Sequence, residues 1–200
     1  MRGGTVIGET LTVYSVLPHP ERGPARDAVD GQRLALQQAG GRAGEFKITF
    51  ASLDETGDGR DDSLPGRVAS AMRQAIGDAQ VVAVIADLEA ETALVSIPLL
   101  NSAGILHVSP GVDDPRFTTG GPPGEPERFY PAGERTFFPV PTPATDVAFR
   151  RDFTAAFGRV PGPEAAAGRA AMLAVLEAVE RAGADASRRQ AVIDAYRSLD

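Results

Sequence analysis

The stretch VVAVIADLEAETALVSIPLLNSAGILHVSP, residues 81–110, decides the fold. Val81–Ala86 is apolar without interruption, as in a strand buried on both faces rather than one with a wet side. A helical pattern follows from Glu89 to Ser102, with Leu94, Ile97 and Leu100 expected inward. Pro98 has no N–H to donate and is expected to kink that helix. Ile105–Ser109 reads as strand again. Apolar strand, helix and apolar strand in succession make the crossover of a parallel sheet.

The same alternation precedes it. Residues 11–17, LTVYSVL, read as a buried strand closed by Pro18-His19-Pro20. From Ala25 to Ala39 the residues Ala28, Gly31, Leu34 and Ala35 recur at helical spacing, and Gly40-Gly41 ends the run as a C-cap. Phe46–Leu53 is the next strand. A helix follows with Asp62 or Ser63 as N-cap, Pro65 in its first turn, and Val68, Met72 and Ile76 on one face. The fold expected is α/β, a doubly wound parallel sheet in a three-layer α/β/α arrangement.

Beyond residue 110 the pattern loosens. Residues 118–134, TTGGPPGEPERFYPAGE, are too rich in proline and glycine for a regular element. Arg135–Val140 is expected as a short edge strand, since Pro139 cannot serve a central one. Phe149, Phe153 and Phe157 form a stripe expected to pack on the sheet. Pro163-Glu164 open an alanine-rich helix to about Ala182, and Asp185 is expected to cap a last helix holding Val192, Ile193 and Tyr196. No internal repeat is visible, so residues 1–200 read as one lobe with helices from 146 to 200 returning to it.

Composition narrows the function. A net charge of −7 gives no support to phosphate neutralisation, so nucleic acid is excluded as a partner. Lys47 is the only lysine and lies in a strand, which removes P-loop and Schiff-base chemistry elsewhere. There is no cysteine. No apolar run approaches the roughly 20 residues of a membrane span. The first residues lack a leader's apolar core, so the protein is expected outside the cytoplasm if a leader was removed and inside it otherwise.

Candidate chemistries fail one by one. Asp54-Glu55-Thr56-Gly57-Asp58-Gly59 begins like a calcium loop, but position twelve is Pro65 instead of a bidentate glutamate. His107 and Ser109 share one side of their strand, yet the glycine that a nucleophile elbow needs two residues before its serine is replaced by His107. No GxGxxG follows the first strand. No cofactor, metal site or enzymatic activity is expected. What remains are the loops at strand C-termini, where open α/β sheets place ligands. Their acids Asp54, Asp87, Glu89, Asp113 and Asp114 either converge to favour a cationic ligand or serve as helix caps and solvated charge.

Several segments, in colinear order, resemble the periplasmic solute-binding proteins of branched-chain amino-acid ABC transporters, of the type I fold. PHPERGPA stands where that family has a serine-glycine-proline loop, and DGQRLALQQAGG is similar to its first helix and glycine pair. ITFASLDETGD is similar to its second strand and acidic loop, and VVAVIADLEAETALVSIPLLNSAGILHVSPGVDDPRFT to its third and fourth strands. FTAAFGRVPGPEAAAGRAAMLAVLEAVERAG resembles the helices that return to the first lobe. RTFFPVPTPATDVA resembles the exit from that lobe, yet the chain passes at Phe149 straight into the returning helix. The resemblance therefore implies a single lobe with the second one missing and residues 118–134 as a hinge remnant.

The family's ligand-binding serine matches Ala90, its backbone donor matches Gly111, and its threonine matches Asp113. Two hydroxyls are lost, and Asp113 would repel a ligand carboxylate by roughly 1 kcal/mol at about 4 Å in water, more when buried. The ligand rim expected is Leu17, Pro18, Asp87, Glu89, Ala90, Glu91, Ser109, Gly111 and Asp113. The function implied is non-catalytic recognition of a small polar or amino-acid-like ligand with altered or weakened binding. Partners in keeping with the resemblance are an ABC permease, a sensor or a second copy in a homodimer. The alternative is a sensor or docking module that keeps the scaffold without small-molecule binding.

Overall fold

The structure is a computed structural model describing Thr5 and residues 8–54, 63–118, 129–141 and 143–199. Its order is β1 (Thr10–Leu17), α1 (Gly23–Gln38), β2 (Arg42–Ala43), β3 (Phe46–Asp54), α2 (Leu64–Gly77), β4 (Val81–Ala86), α3 (Ala90–Ala103), β5 (Leu106–Ser109), α4 (Pro115–Thr118) and β6 (Phe137–Pro139). There follow α5 (Val147–Phe157), α6 (Pro163–Ala182), a 3₁₀ turn (Gly183–Ser187) and α7 (Arg189–Arg197). The strands form one sheet in the order β2-β3-β1-β4-β5-β6. All neighbours are parallel except β2 and β3.

This is the doubly wound sheet the strand runs imply. All six residues of β4 are buried, because helices cover both faces of it. On one face Val13, Val82, Ile85 and Val108 pack under Ala35 of α1, Met172 and Val175 of α6, and Ile193 of α7. On the other, Val16, Val84 and Ala86 pack under Val68 and Met72 of α2 and Leu100 of α3. Full burial of one such aliphatic side chain contributes about 1.5–3 kcal/mol.

The local signals act as their chemistry requires. Ser63 Oγ accepts from Gly66 N at 3.2 Å and caps α2; the other candidate cap, Asp62, lies outside the described residues. Gly104, at φ 62°, closes α3 in the left-handed conformation that glycine adopts without a Cβ penalty. Pro139 sits on the edge strand β6 with its missing donor facing away from β5.

Four expectations need correction, and one element was not expected. Leu94 is 38% exposed, because α3 turns Ala93, Ile97 and Leu100 inward together with the polar Ser96 and Asn101. The Phe149-Phe153-Phe157 stripe packs on Leu34 of α1 and Ala165 and Ala166 of α6, not on the sheet, since α1 and α6 already cover that face. Asp185 lies within the 3₁₀ turn, and Arg188 is the N-cap of α7. The short β2 hairpin to β3 was not anticipated. Thr118 ends α4 rather than opening the irregular stretch, of which residues 119–128 lie outside the described residues.

Candidate functional site

β1 and β4 are neighbours in the sheet, but the chain leaves β1 for the α1 face and β4 for the α3 face. That divergence opens a crevice at their C-terminal ends, the place where doubly wound sheets receive ligands. A cavity of about 580 Å³ occupies it. Pro18, His19 and Arg22 of the β1–α1 loop and Gly23–Ala25 of α1 form one side. Leu88 and Glu89 after β4, with Pro110 and Gly111 after β5, form the next, and Pro163, Glu164 and Ala167 of α6 close it. The volume is within the roughly 300–1,000 Å³ usual for small-molecule sites.

Of the rim residues expected from sequence, Pro18, Glu89 and Gly111 line this cavity. Leu17, Asp87 and Ser109 are fully buried beneath it. Ala90, Glu91 and Asp113 are outside its lining; Ala90 packs instead beside Ala93, Ile97 and Phe117. The acids do not converge either. Asp54 accepts from His19 N at 3.0 Å, and Asp114 holds Arg116 at 2.6 Å. Hydrogen bonds from the Arg116 side chain and backbone keep the Asp114 carboxyl below its usual range.

The buried residues shape the wall from below. Asp87 has left-handed backbone, φ 68°, which turns the chain sharply out of β4. Ser109 Oγ donates to the Asp87 carbonyl at 2.9 Å and accepts from Val112 N at 2.9 Å and Gly111 N at 3.3 Å. One hydroxyl thus staples the β4 and β5 loops together. Gly111 is needed there, since a Cβ on it would stand 2.7 Å from Leu88 Cα. Deeper still, Asp87 Oδ2 accepts from Ser96 Oγ at 2.5 Å and lies 2.9 Å from His107 Nε2. The His107 ring meets Phe137 edge-on, with centroids 4.9 Å apart. His107 and Ser109 are completely enclosed, and the Ser109 hydroxyl is committed to loop backbone, so neither presents a base or a nucleophile to the cavity.

The opposite side is polar. Arg22 NH2 is 2.9 Å from His19 Nδ1, and since arginine only donates, the ring nitrogen is the acceptor in that contact. His19, Glu21 and Asp54 bring ligating atoms within 4.8 Å of one another. Arg22 already uses the imidazole lone pair that a metal would need. The distant wall is positioned by Arg159, whose guanidinium bonds Asp27 and reaches Asp30 at 2.7 Å, while Gly162 N donates to Asp27 Oδ2 at 3.0 Å. Burial draws the Arg159 pKa down, but the hydrogen bonds it donates to Asp30 and Asp27 outweigh it and hold the group above its ordinary value. The start of α6 is thereby tied to α1 across the crevice.

Leu88 and Pro110 lie in the strand-end loops expected to carry the site, whereas His19, Arg22, the start of α1 and the α6 residues were not anticipated as lining. The Pro163-Glu164 pair signals a helix start, but only the α1–α6 contact brings that start to β1. Gly31 and Gly168, whose added Cβ atoms would strike the backbone of Ala165 and of Ala28, are the sequence trace of that contact.

No family model and no curated protein matches the sequence. Solved structures do. A branched-chain amino acid ABC transporter protein from Rhodospirillum rubrum superimposes with a TM-score of 0.71 at 15% identity, covering 96% of this chain and 90% of that one. An ABC transporter substrate-binding protein from Desulfitobacterium hafniense in complex with Leu gives 0.71 at 13% identity, over 96% of this chain and 89% of that one. A branched-chain amino acid transporter substrate-binding protein from Streptococcus pneumoniae in complex with isoleucine gives 0.68 at 12% identity, over 94% and 87%. The chain has the type I periplasmic binding fold of the branched-chain amino-acid ABC transporter substrate-binding proteins, as a single lobe built on one six-stranded sheet.

Proposed function

We propose that this protein is a non-catalytic recognition protein, a single-lobed relative of amino-acid substrate-binding proteins, that takes a small polar or amino-acid-like ligand at the crevice above β1 and β4. The observation that carries this reading is the cavity itself: it stands at the switch point of the sheet, over an apolar floor of Leu88, Ala25 and Ala167 with Arg22, Glu89 and Glu164 around it. Its solved neighbours are substrate-binding proteins, two of them holding leucine or isoleucine. A half-cleft buries less of a ligand than the roughly 70–90% usual for pockets, so a second copy facing the rim would strengthen the site.

An extracytoplasmic location, with an ABC permease or a sensor as partner, is the setting in keeping with this reading. No helix among the described residues is long and apolar enough to cross a membrane. The test is a thermal-shift screen of amino acids, amides, amines and small acids, with sedimentation run in parallel. A ligand that binds the folded state raises the midpoint in proportion to RT ln(1 + [L]/Kd). A saturable shift supports recognition. A flat response together with a strict monomer at high concentration leaves only a docking role for the scaffold.

A further inference from the structure

One carboxylate and one imidazole are sealed together beneath the crevice wall. Asp87 and His107 are both 0% exposed, and Asp87 Oδ2 lies 2.9 Å from His107 Nε2. Nε2 nonetheless makes no hydrogen bond, because its N–H direction misses that oxygen, so the contact draws its strength from charge. The carboxylate's other support is the Ser96 hydroxyl, while Asp87 Oδ1 and His107 Nδ1 have no hydrogen-bond partner. His107 is the only ion-pair partner of Asp87 among the described residues. Ionisable groups on the surrounding elements are turned elsewhere: Glu89 and Glu91 are exposed, Arg116 holds Asp114, and Tyr130 and Arg135 donate to the Phe117 and Thr118 carbonyls. Neither Arg67 nor Arg73 of α2 forms an ion pair with Asp87. With the imidazole charged and the carboxylate ionised the pair is neutral. With the imidazole uncharged, a full negative charge is enclosed with one hydroxyl to satisfy it, an arrangement strongly disfavoured away from water.

The same residue carries the wall. Asp87 has left-handed backbone at φ 68°, and its carbonyl accepts from the Ser109 hydroxyl that also takes the Gly111 and Val112 N–H groups. Leu88 follows it directly, and Gly111 packs so close that a Cβ there would stand 2.7 Å from Leu88 Cα. Leu88, Glu89, Pro110 and Gly111 all line the cavity. A shift of Asp87 is therefore passed to two lining loops. We infer that the Asp87–His107 pair is a proton-operated latch on the crevice. With the imidazole charged, it holds Asp87 down and keeps the β4 and β5 loops in their binding arrangement; with the imidazole uncharged, the carboxylate is released toward the crevice and both loops loosen. The latch adds regulation to the site proposed above and rests on that reading for what it controls, whereas its movement is measured without any ligand.

The experiment is nuclear magnetic resonance of the whole chain between about pH 5 and 9, the range in which histidine changes charge. It follows the His107 ring and the amides of Leu88, Glu89, Gly111 and Val112. His19, the other histidine of the chain, lines the same cavity, and His19→Asn separates its titration from that of His107. The four amides are expected to shift along one curve with the His107 ring, in the unchanged chain and in His19→Asn, while Val13 in the core of β1 stays still. Asp87→Asn keeps the shape and suits left-handed backbone, and is expected to leave the four amides flat. A His107 ring that keeps one charge state over the whole range overturns the latch, and so does a titration that leaves the four amides unmoved. Both results come from the unchanged chain, so the test stands even if a variant fails to fold. L-leucine is then titrated at the two ends of the range, with about tenfold tighter binding expected at the acid end. Equal binding at both ends overturns the latch's control of the site. No binding of leucine at either end counts against the crevice reading, and the amide curves still decide the latch.

Discussion

Gly31 of α1 lies directly on the backbone of α6, and three residues along α6 Gly168 lies on the backbone of α1. A Cβ at Gly31 would strike the Ala165 carbonyl, and one at Gly168 would strike the Ala28 carbonyl. The obstruction in both cases is main chain, which cannot swing aside as a side chain does. The two helices can cross this closely only because both positions lack a Cβ, and the crossing sets the width of the crevice between their N-termini.

Gly31→Ala and Gly168→Ala are therefore each expected to destabilise the protein by about 1–3 kcal/mol, the usual cost of overpacking, despite alanine's better helix propensity. Urea denaturation measures this directly. An unchanged midpoint in either variant would mean that the helices cross with room to spare. Combined, the two substitutions should cost less than the sum of their separate effects, because one shift of α6 relieves both clashes.

Ser109→Ala tests the staple between the β4 and β5 loops. The variant leaves the Asp87 carbonyl and the Val112 N–H without their shared partner. Each group left unsatisfied in the interior costs about 1–3 kcal/mol. Amide exchange at Gly111 and Val112 should speed up more than exchange in β4, whose ladder is untouched. Gly111→Ala should give the larger ligand-binding defect, because its Cβ pushes the Leu88 wall itself.

How much of this was legible depended on distance along the chain. β4 could be read to the residue, since six consecutive apolar side chains bounded by polar residues suit a strand buried on both faces. Helix α6 could be read as well, from Pro163 to about Ala182. The inward face of α3 could not, because apolar residues surround that helix and Leu94 competes with Leu100 for the core. Ser96 takes an inward place because buried Asp87 needs a donor, a requirement visible only once β4 and α3 are side by side. The site divided in the same way. Strand ends located Pro18, Glu89 and Gly111, while Glu164 entered from more than 70 residues away through helix packing that periodicity does not report.

Tyr130 supplies a test of the segment between α4 and β6. Burial raises its phenol pKa to about 12, with Arg135 pulling weakly the other way, and its hydroxyl donates to the Phe117 carbonyl. A folded-state pKa above the unfolded value of about 10 means that the fold holds this proton more tightly. The stabilisation is fully present below pH about 10 and is lost as pH rises toward 12. Burial and Asp78 also raise the Tyr14 phenol, so ultraviolet titration should show a late-ionising component that shrinks by one tyrosine in Tyr130→Phe, and that variant should lose less stability over the same alkaline range. Ionisation of all three tyrosines together near pH 10 would place Tyr130 in water.

Arg159 is the clasp that holds the crevice's distant wall. It bonds Asp27 and Asp30 on α1 while lying 5.0 Å from the Phe153 ring centre, and Asp27 in turn receives the Gly162 N–H just before α6. Arg159→Ala removes the cation and exposes the ring. Asp30, 4% exposed, keeps Arg33 at 3.2 Å and Arg26 at 3.6 Å, so its charge is not stranded. The expected cost is accordingly about 1–3 kcal/mol, below the roughly 3–5 kcal/mol of breaking an isolated buried pair. A double-mutant cycle with Asp27→Asn should return a coupling of about 0.5–3 kcal/mol. If the clasp sets the position of Glu164, Arg159→Ala should also weaken whatever ligand the cavity binds by more than the loss in stability alone explains, measured well below the unfolding midpoint. Undiminished affinity there would show that the Gly31–Gly168 crossing positions α6 without help.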